Sequence, residues 1–175
     1  MLFRDYLASL TEPLSERTLG FLFESDGSRM LLGRKKKGFG EDYYTGIGGK
    51  IEKDETIEEA AVREFQEEVI VTPNGLREVG ELTFLFLERP QSWNQRVYVF
   101  RTNSWEGTPT ETEEIKPYWF DVDDLPYSVM WDDAKAWMPY MLEGWRLKGE
   151  FLFDRELKVC CGKVTPVSKE QSLLR

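Results

Sequence analysis

From Gly49 to Val71 the chain reads GKIEKDETIEEAAVREFQEEVIV, a concentration of carboxylates where a helix is expected. The pattern predicts a helix over about Thr56–Val69. Asp54 or Glu55 stands at its start, where a carboxylate suits the orphan N–H groups and the helix dipole. On that helix Glu64, Glu67 and Glu68 are related by i, i+3 and i+4, so they share one face. Ala61 and Phe65 lie on the adjoining arc, so the acids sit at the edge of the buried stripe, where a cleft wall would be. Three clustered carboxylates repel one another. Two readings are open: a solvated acidic helix face, or a site for a hard divalent cation. Mg²⁺ suits the second, since it takes oxygen ligands and keeps several waters plus substrate phosphates.

Composition narrows the chemistry. There is no histidine, which excludes a Ser-His-Asp triad, a histidine general acid and a His-ligated zinc. The two cysteines, Cys160 and Cys161, are adjacent, so they are read as free thiols without metal-ligand spacing. The net charge of −9 speaks against holding duplex nucleic acid through a general field. An acidic protein still acts on a phosphorylated small molecule where cations neutralise both partners. With 175 residues, 41% of them hydrophobic and 31% charged, one globular domain is expected. No apolar run reaches the length of a membrane span, and Met1 to Leu10 carries no leader pattern. A cytoplasmic protein without membrane contact is therefore expected, with a monomer as its state.

Residues 1–16 read as an N-terminal extension in which Tyr6, Leu7 and Leu10 form an apolar stripe and Pro13 ends any helix. Residues 17–161 read as the main domain and 162–175 as a C-terminal tail without clear pattern. Thr18 to Glu24 and Arg29 to Gly33 flank the turn Ser25-Asp26-Gly27-Ser28, which reads as a hairpin. Strands are expected near Val79–Leu87, Arg96–Thr102 and Tyr118–Val122, with Glu150–Phe153 and Leu157–Cys161 closing the sheet. A second helix is expected over about Asp132–Lys148, interrupted at Pro139. Strands and helices mix without regular alternation, so the fold class is α+β: a mixed β-sheet flanked by helices, a mixed α/β/α sandwich.

The wider spacing resembles the signature of the Nudix hydrolases: Gly, five residues, Glu, seven residues, Arg-Glu, a bulky apolar residue, one residue, then Glu-Glu. The matching positions are Gly49, Glu55, Arg63, Glu64, Phe65, Glu67, Glu68 and Val71, with Ile70 where the family usually has glycine. Six fixed residues would coincide in a chain this long about once in 10⁴, even with abundant Glu. The resemblance implies the Nudix fold, with Gly48, Glu64, Glu67 and Glu68 holding Mg²⁺ or Mn²⁺ and the attacking water. It implies Glu67 or Glu68 as general base, Lys50 facing the phosphates beside Gly49, and Glu55 paired structurally with Arg63. The alternative for Lys50 is a solvated lysine.

Beyond that box, the segments LLGRKKKGFGEDYYTGIGGKIE, VGELTFLF, GTPTETEEIKPYWFDVDDLPYSVMWDD and GEFLF resemble the MutT-homologue oxidised-purine nucleoside triphosphate diphosphatases. That likeness implies Glu114 as a further metal ligand and Lys35 beside the ligand. It implies Thr18, Phe39, Thr45 and Phe84 around the base, Trp131 stacked on the purine, and Asp133 accepting from the base edge. Ala134 stands where the subfamily has a second pocket acid; either the acid pair is lost, or Asp132 and Asp133 shift by one to restore it. The activity implied is Mg²⁺-dependent hydrolysis of a small-molecule nucleotide such as 8-oxo-dGTP to monophosphate and pyrophosphate. The alternatives are hydrolysis of ADP-ribose or a dinucleoside polyphosphate, and a non-catalytic Nudix-fold binding module.

Overall fold

The order of elements follows from local chemistry. The computed structural model describes residues 2–170. In chain order these are α1 (Phe3–Ser9), β1 (Ser15–Leu22), β2 (Arg29–Lys35), β3 (Tyr44–Thr45), α2 (Ile57–Val69), β4 (Thr72–Asn74), β5 (Arg77–Phe86), β6 (Gln95–Thr102), β7 (Ser104–Glu106), β8 (Ile115–Asp121), α3 (Ala134–Leu142), β9 (Trp145–Phe153) and β10 (Val159–Lys169). This is a mixed α+β chain, and none of the described helices is long and apolar enough to cross a membrane.

The chain divides into two compact units. Among the described residues the first holds 2–16, 79–98 and 132–170, and the second 17–78 and 99–131. In the first unit β5 runs parallel to β9 and β10 runs antiparallel to β9, with Phe84 opposite Phe151 and Phe86 opposite Phe153. The sheet is therefore mixed. The N-terminal segment belongs to this unit's core: Phe3 is buried with Leu85 and Leu152, and Tyr6, Leu7, Leu10 and Leu14 pack around them. The Tyr6 hydroxyl donates to the Phe86 carbonyl at 2.9 Å.

In the second unit β2 is the central strand between β3 and β8, and Met30, Leu31, Leu32 and Gly33 are all buried. Covered on both faces, it reads as a continuous apolar run. The inner face of α2 places Phe65 and Val69 among Leu22, Leu31, Ile47, Val71 and Ile115.

The structure differs from the sequence expectations at four places. The N-cap of α2 is Thr56, neither Asp54 nor Glu55; it forms a capping box in which Glu59 N donates to Thr56 Oγ1 at 3.1 Å and Thr56 N to Glu59 Oε2 at 2.7 Å. The turn at Ser25–Ser28 is present, but it closes through the isolated bridge Phe23–Met30 and the bond from Glu24 N to Arg29 O at 3.0 Å, just past the end of β1, while β2 pairs along its length with β3 and β8. The second helix stops at Leu142. Gly144 takes a left-handed φ of 87°, and from Trp145 onward burial alternates with the period of a strand. Finally, β10 continues past Cys161 to Lys169, within the segment expected to be a tail. Exposed residues dominate this strand, so no apolar run marks it, and Lys163, Pro166 and Lys169 are the residue types that blunt a sheet edge. The end of the expected tail, residues 171–175, lies outside the described residues.

Candidate active site

The acidic face of α2 is built by close backbone approach. A Cβ on Gly48 would collide with the Thr18 carbonyl, and a Cβ on Gly49 would collide with the Glu64 carboxylate. Glycine at both positions lets the segment lie against β1 on one side and the helix on the other. Gly20 N donates to Ile47 O at 2.6 Å, and Thr18 N to Gly49 O at 2.9 Å, holding it there. Gly48 N in turn donates to Glu68 Oε2 at 3.2 Å.

Arg63 organises the outer side. Its Nε and Nη2 donate to the two oxygens of Glu55 at 3.0 and 2.7 Å, the forked geometry a guanidinium suits. Nη2 also donates to Lys50 O at 3.0 Å. Nη1 reaches Glu64 Oε1 at 2.9 Å and Glu67 Oε2 at 3.1 Å. The hydrogen bond to Glu55 leads in raising the Arg63 pKa, and the same bond holds the Glu55 carboxyl below its ordinary value.

The inner side is different. Glu68 is only 3% exposed. Burial pushes its carboxyl up to about 8; Lys35 and the Gly48 N–H pull it down, while Glu64 and Glu114 push it further up. Lys35 Nζ stands 3.9 Å from Glu68 Oε1, too far for a hydrogen bond. Burial likewise raises Glu64, against Arg63 and with Glu67 and Glu114. Glu67 and Glu114 are exposed. The loop bearing Glu114 is fastened to the end of α2: Thr112 Oγ1 donates to Glu68 O at 2.9 Å, and Thr110 N to Val69 O at 2.9 Å. Sequence reading missed both threonines, since nothing in the run TPTETEE separates anchors from solvated neighbours.

The donor chemistry fits a hard cation. Every candidate side chain offers carboxylate oxygen, and two of them sit where burial and like charge disfavour ionisation without a counter-charge. The nest is not preformed: among the described residues no three His, Cys, Asp or Glu side chains converge. Glu64 and Glu67 are both hydrogen-bonded to Arg63.

The remaining site candidates fall in both units. In the second, Phe39 stacks on Trp131 at 5.0 Å and 17°, and Tyr43 meets Trp131 edge-on at 5.1 Å. Thr18 is 3% exposed and its hydroxyl has no hydrogen-bond partner. Thr45 is half-buried on β3, opposite Gly33, and Lys50 is exposed. In the first, Phe84 is half-buried beside Phe151 and Phe153. Asp132 Oδ1 accepts from Lys135 Nζ at 2.7 Å and Oδ2 from Val159 N at 2.9 Å, which hold its carboxyl below the usual range. Asp133 is buried, Oδ2 accepting from Trp137 Nε1 at 2.7 Å, and burial pushes it up to about 6.

A family model described as a NUDIX domain matches residues 14–141. The chain is 43% identical over 126 residues to a Danio rerio protein named oxidized purine nucleoside triphosphate hydrolase, covering 72% of this chain and 80% of that one. It is 40% identical over 126 residues to the Mus musculus protein of the same name, with the same shares of each chain. The crystal structure of a MutT protein from Bacillus halodurans superposes with a TM-score of 0.72 at 22% identity, over 86% of this chain and 97% of that one, a likeness of fold.

Proposed function

The chain belongs to the Nudix family, and on that premise we propose that it hydrolyses oxidised purine nucleoside triphosphates, such as 8-oxo-dGTP, to the monophosphate and pyrophosphate. Residues 17–161 are taken as the Nudix domain. The names of the relatives from Danio rerio and Mus musculus support the substrate class. The observation that carries the reaction class is the half-compensated acidic face: Glu68 buried and Glu64 half-buried in the field of Glu114, with Lys35 short of a bond.

Gly48, Glu64, Glu67, Glu68 and Glu114 would hold Mg²⁺ or Mn²⁺. Such an ion, when bound, neutralises carboxylate and phosphate charge and makes water more acidic. The chain's own residues do the rest. Water attacks phosphorus, a new P–O bond forms, the bond to pyrophosphate breaks, and the water's proton passes to a carboxylate of Glu67 or Glu68. Arg63 presents Glu64 and Glu67 on one side of α2, and its fork to Glu55 keeps it there. Lys35 and Lys50 supply positive charge for the phosphates, and positioning carries much of the barrier reduction.

The test is pyrophosphate release from 8-oxo-dGTP, 2-hydroxy-dATP, the four ordinary dNTPs and ADP-ribose with Mg²⁺, wild type against Glu67→Gln. Preference for an oxidised purine, lost in the variant, supports the reading. Turnover of ADP-ribose alone removes the substrate class, and full activity in Glu67→Gln with Glu68→Gln also active removes the mechanism.

A further inference from the structure

Arg17 has no part in the chemistry described so far. It lies on β1, bridged through its backbone to Lys50 and next to the Thr18 N–H that holds Gly49. Its guanidinium carbon is 6.0 Å from the centre of the Phe39 ring, the ring that stacks on Trp131. Its Nε is fully buried and makes no hydrogen bond. Burial is strong enough to lower its pKa, and Glu64 is the acid whose field opposes that. The guanidinium thus lies beside Phe39 and in the field of Glu64, with its Nε donor making no hydrogen bond. A buried donor without a partner is costly, and more so when charged, so buried polar groups are ordinarily paired. Packing does not require a guanidinium here, since an aliphatic side chain would cover Phe39 without that cost.

Resting on the proposed function, we propose that Arg17 is a nucleotide-contacting residue that donates to an oxygen of the substrate lying between the stacked aromatics and the acidic face of α2. Two oxygens have that chemistry, a carbonyl of the base and a non-bridging oxygen of the first phosphate. A guanidinium serves either: it offers a planar fork to a carbonyl or phosphate and lies flat against an aromatic ring. A cation on Glu64 would neutralise the acid whose field acts on Arg17.

The experiment compares wild type with Arg17→Ala and Arg17→Lys in two readouts. The first is kcat and KM for 8-oxo-dGTP, dGTP and dATP. The second is equilibrium binding of 8-oxo-dGMP and of inorganic pyrophosphate, which needs no turnover. Loss of one charge-assisted hydrogen bond predicts about a 10–100-fold fall in kcat/KM for Arg17→Ala, mostly in KM. A fall for 8-oxo-dGTP and dGTP but not dATP, unrescued by Lys, assigns the base carbonyl. A uniform fall, partly rescued by Lys, assigns the phosphate. The melting temperature should hold or rise, because a buried Nε–H without a hydrogen bond is removed; a purely structural arginine would lower it and leave KM alone. Unchanged KM and unchanged 8-oxo-dGMP affinity in Arg17→Ala overturn the proposal, as does a wild type that binds neither nucleotide nor pyrophosphate. Wild-type binding of 8-oxo-dGMP that Arg17→Ala weakens, without turnover of any triphosphate, upholds Arg17 and rejects the hydrolase reading instead.

Discussion

Two buried carboxylates, Glu68 on α2 and Asp133 at the head of α3, are both pushed toward their neutral form, and their surroundings differ in kind. Asp133 has a single strong partner, the Trp137 indole, four residues along its own helix. Its neighbour Asp132 takes the charged partners, Lys135 and Lys158, so one acid of the pair is neutralised and the other simply desolvated. Glu68 has a backbone N–H, a lysine beyond bonding distance, and two further acids whose charge adds to its own burden. An isolated buried acid relieves its cost by taking a proton. A buried acid among other acids also attracts a counter-charge, which suits a cation, whereas a lone carboxyl near neutrality both donates and accepts hydrogen bonds.

The largest expected effect tests that distinction directly. Replacing Glu68 by Gln should lower kcat by about 10³-fold, in the range of lost general-base or charge-stabilising groups. The same variant should be more stable than wild type at pH 8 in the absence of divalent ions, measured by denaturant titration. A stability–activity exchange of this sort marks a functional acid. If Glu68→Gln lost stability and kept kcat, Glu68 would be a structural carboxyl.

Asp133 sets the next scale. Its folded pKa is about 6 against an ordinary value of 3.8, so the folded state holds the proton more tightly than the unfolded one. The penalty is absent below pH about 4, grows as pH rises, and is complete above about 6. The slope is at most about 1.4 kcal/mol per pH unit, or roughly 3 kcal/mol over the span. Asp133→Asn keeps an acceptor for Trp137 and should flatten wild-type stability between those limits. An unchanged pH profile in the variant would show that the slope comes from elsewhere. Mg²⁺ provides the complementary measurement. At pH 8 a concentration one hundred times its dissociation constant should stabilise wild type by about 2.7 kcal/mol. Asp133→Asn should keep that response and Glu68→Gln should lose most of it.

The two acids also differ in how they show in the sequence. Glu64, Glu67 and Glu68 are legible because helical spacing puts them on one face and the spacing from Gly49 through Arg63 is rarely met by chance. The Arg63–Glu55 fork follows the same spacing. Asp133 is visible only through likeness to a subfamily, and that likeness does not show its bond to Trp137. Arg17 carries no signal at all: a basic residue at the head of a strand looks solvated, and only folding shows its Nε buried. In the fold, buried strands such as β2 announce themselves by apolar runs, whereas β10 is hidden by its exposure and the end of α3 by a glycine no stronger than others in the chain.

The smallest effect concerns what holds the acidic cluster in place. Ile70 caps α2 with φ 61° and ψ 36°, the left-handed conformation, which a β-branched residue rarely adopts. The family usually has glycine there, and Ile70 is 55% exposed, so little packing offsets the strain. The left-handed conformation costs an L residue about 1–2 kcal/mol, part of which glycine returns through its freer unfolded chain. Ile70→Gly should therefore stabilise the protein by about 1 kcal/mol in a denaturant titration. Its kcat should be unchanged, because Glu68 and Val69 are fixed from outside the helix by Thr112 and the Thr110 N–H. A change in kcat without a change in stability would mean that the strained cap itself sets the geometry of the acids.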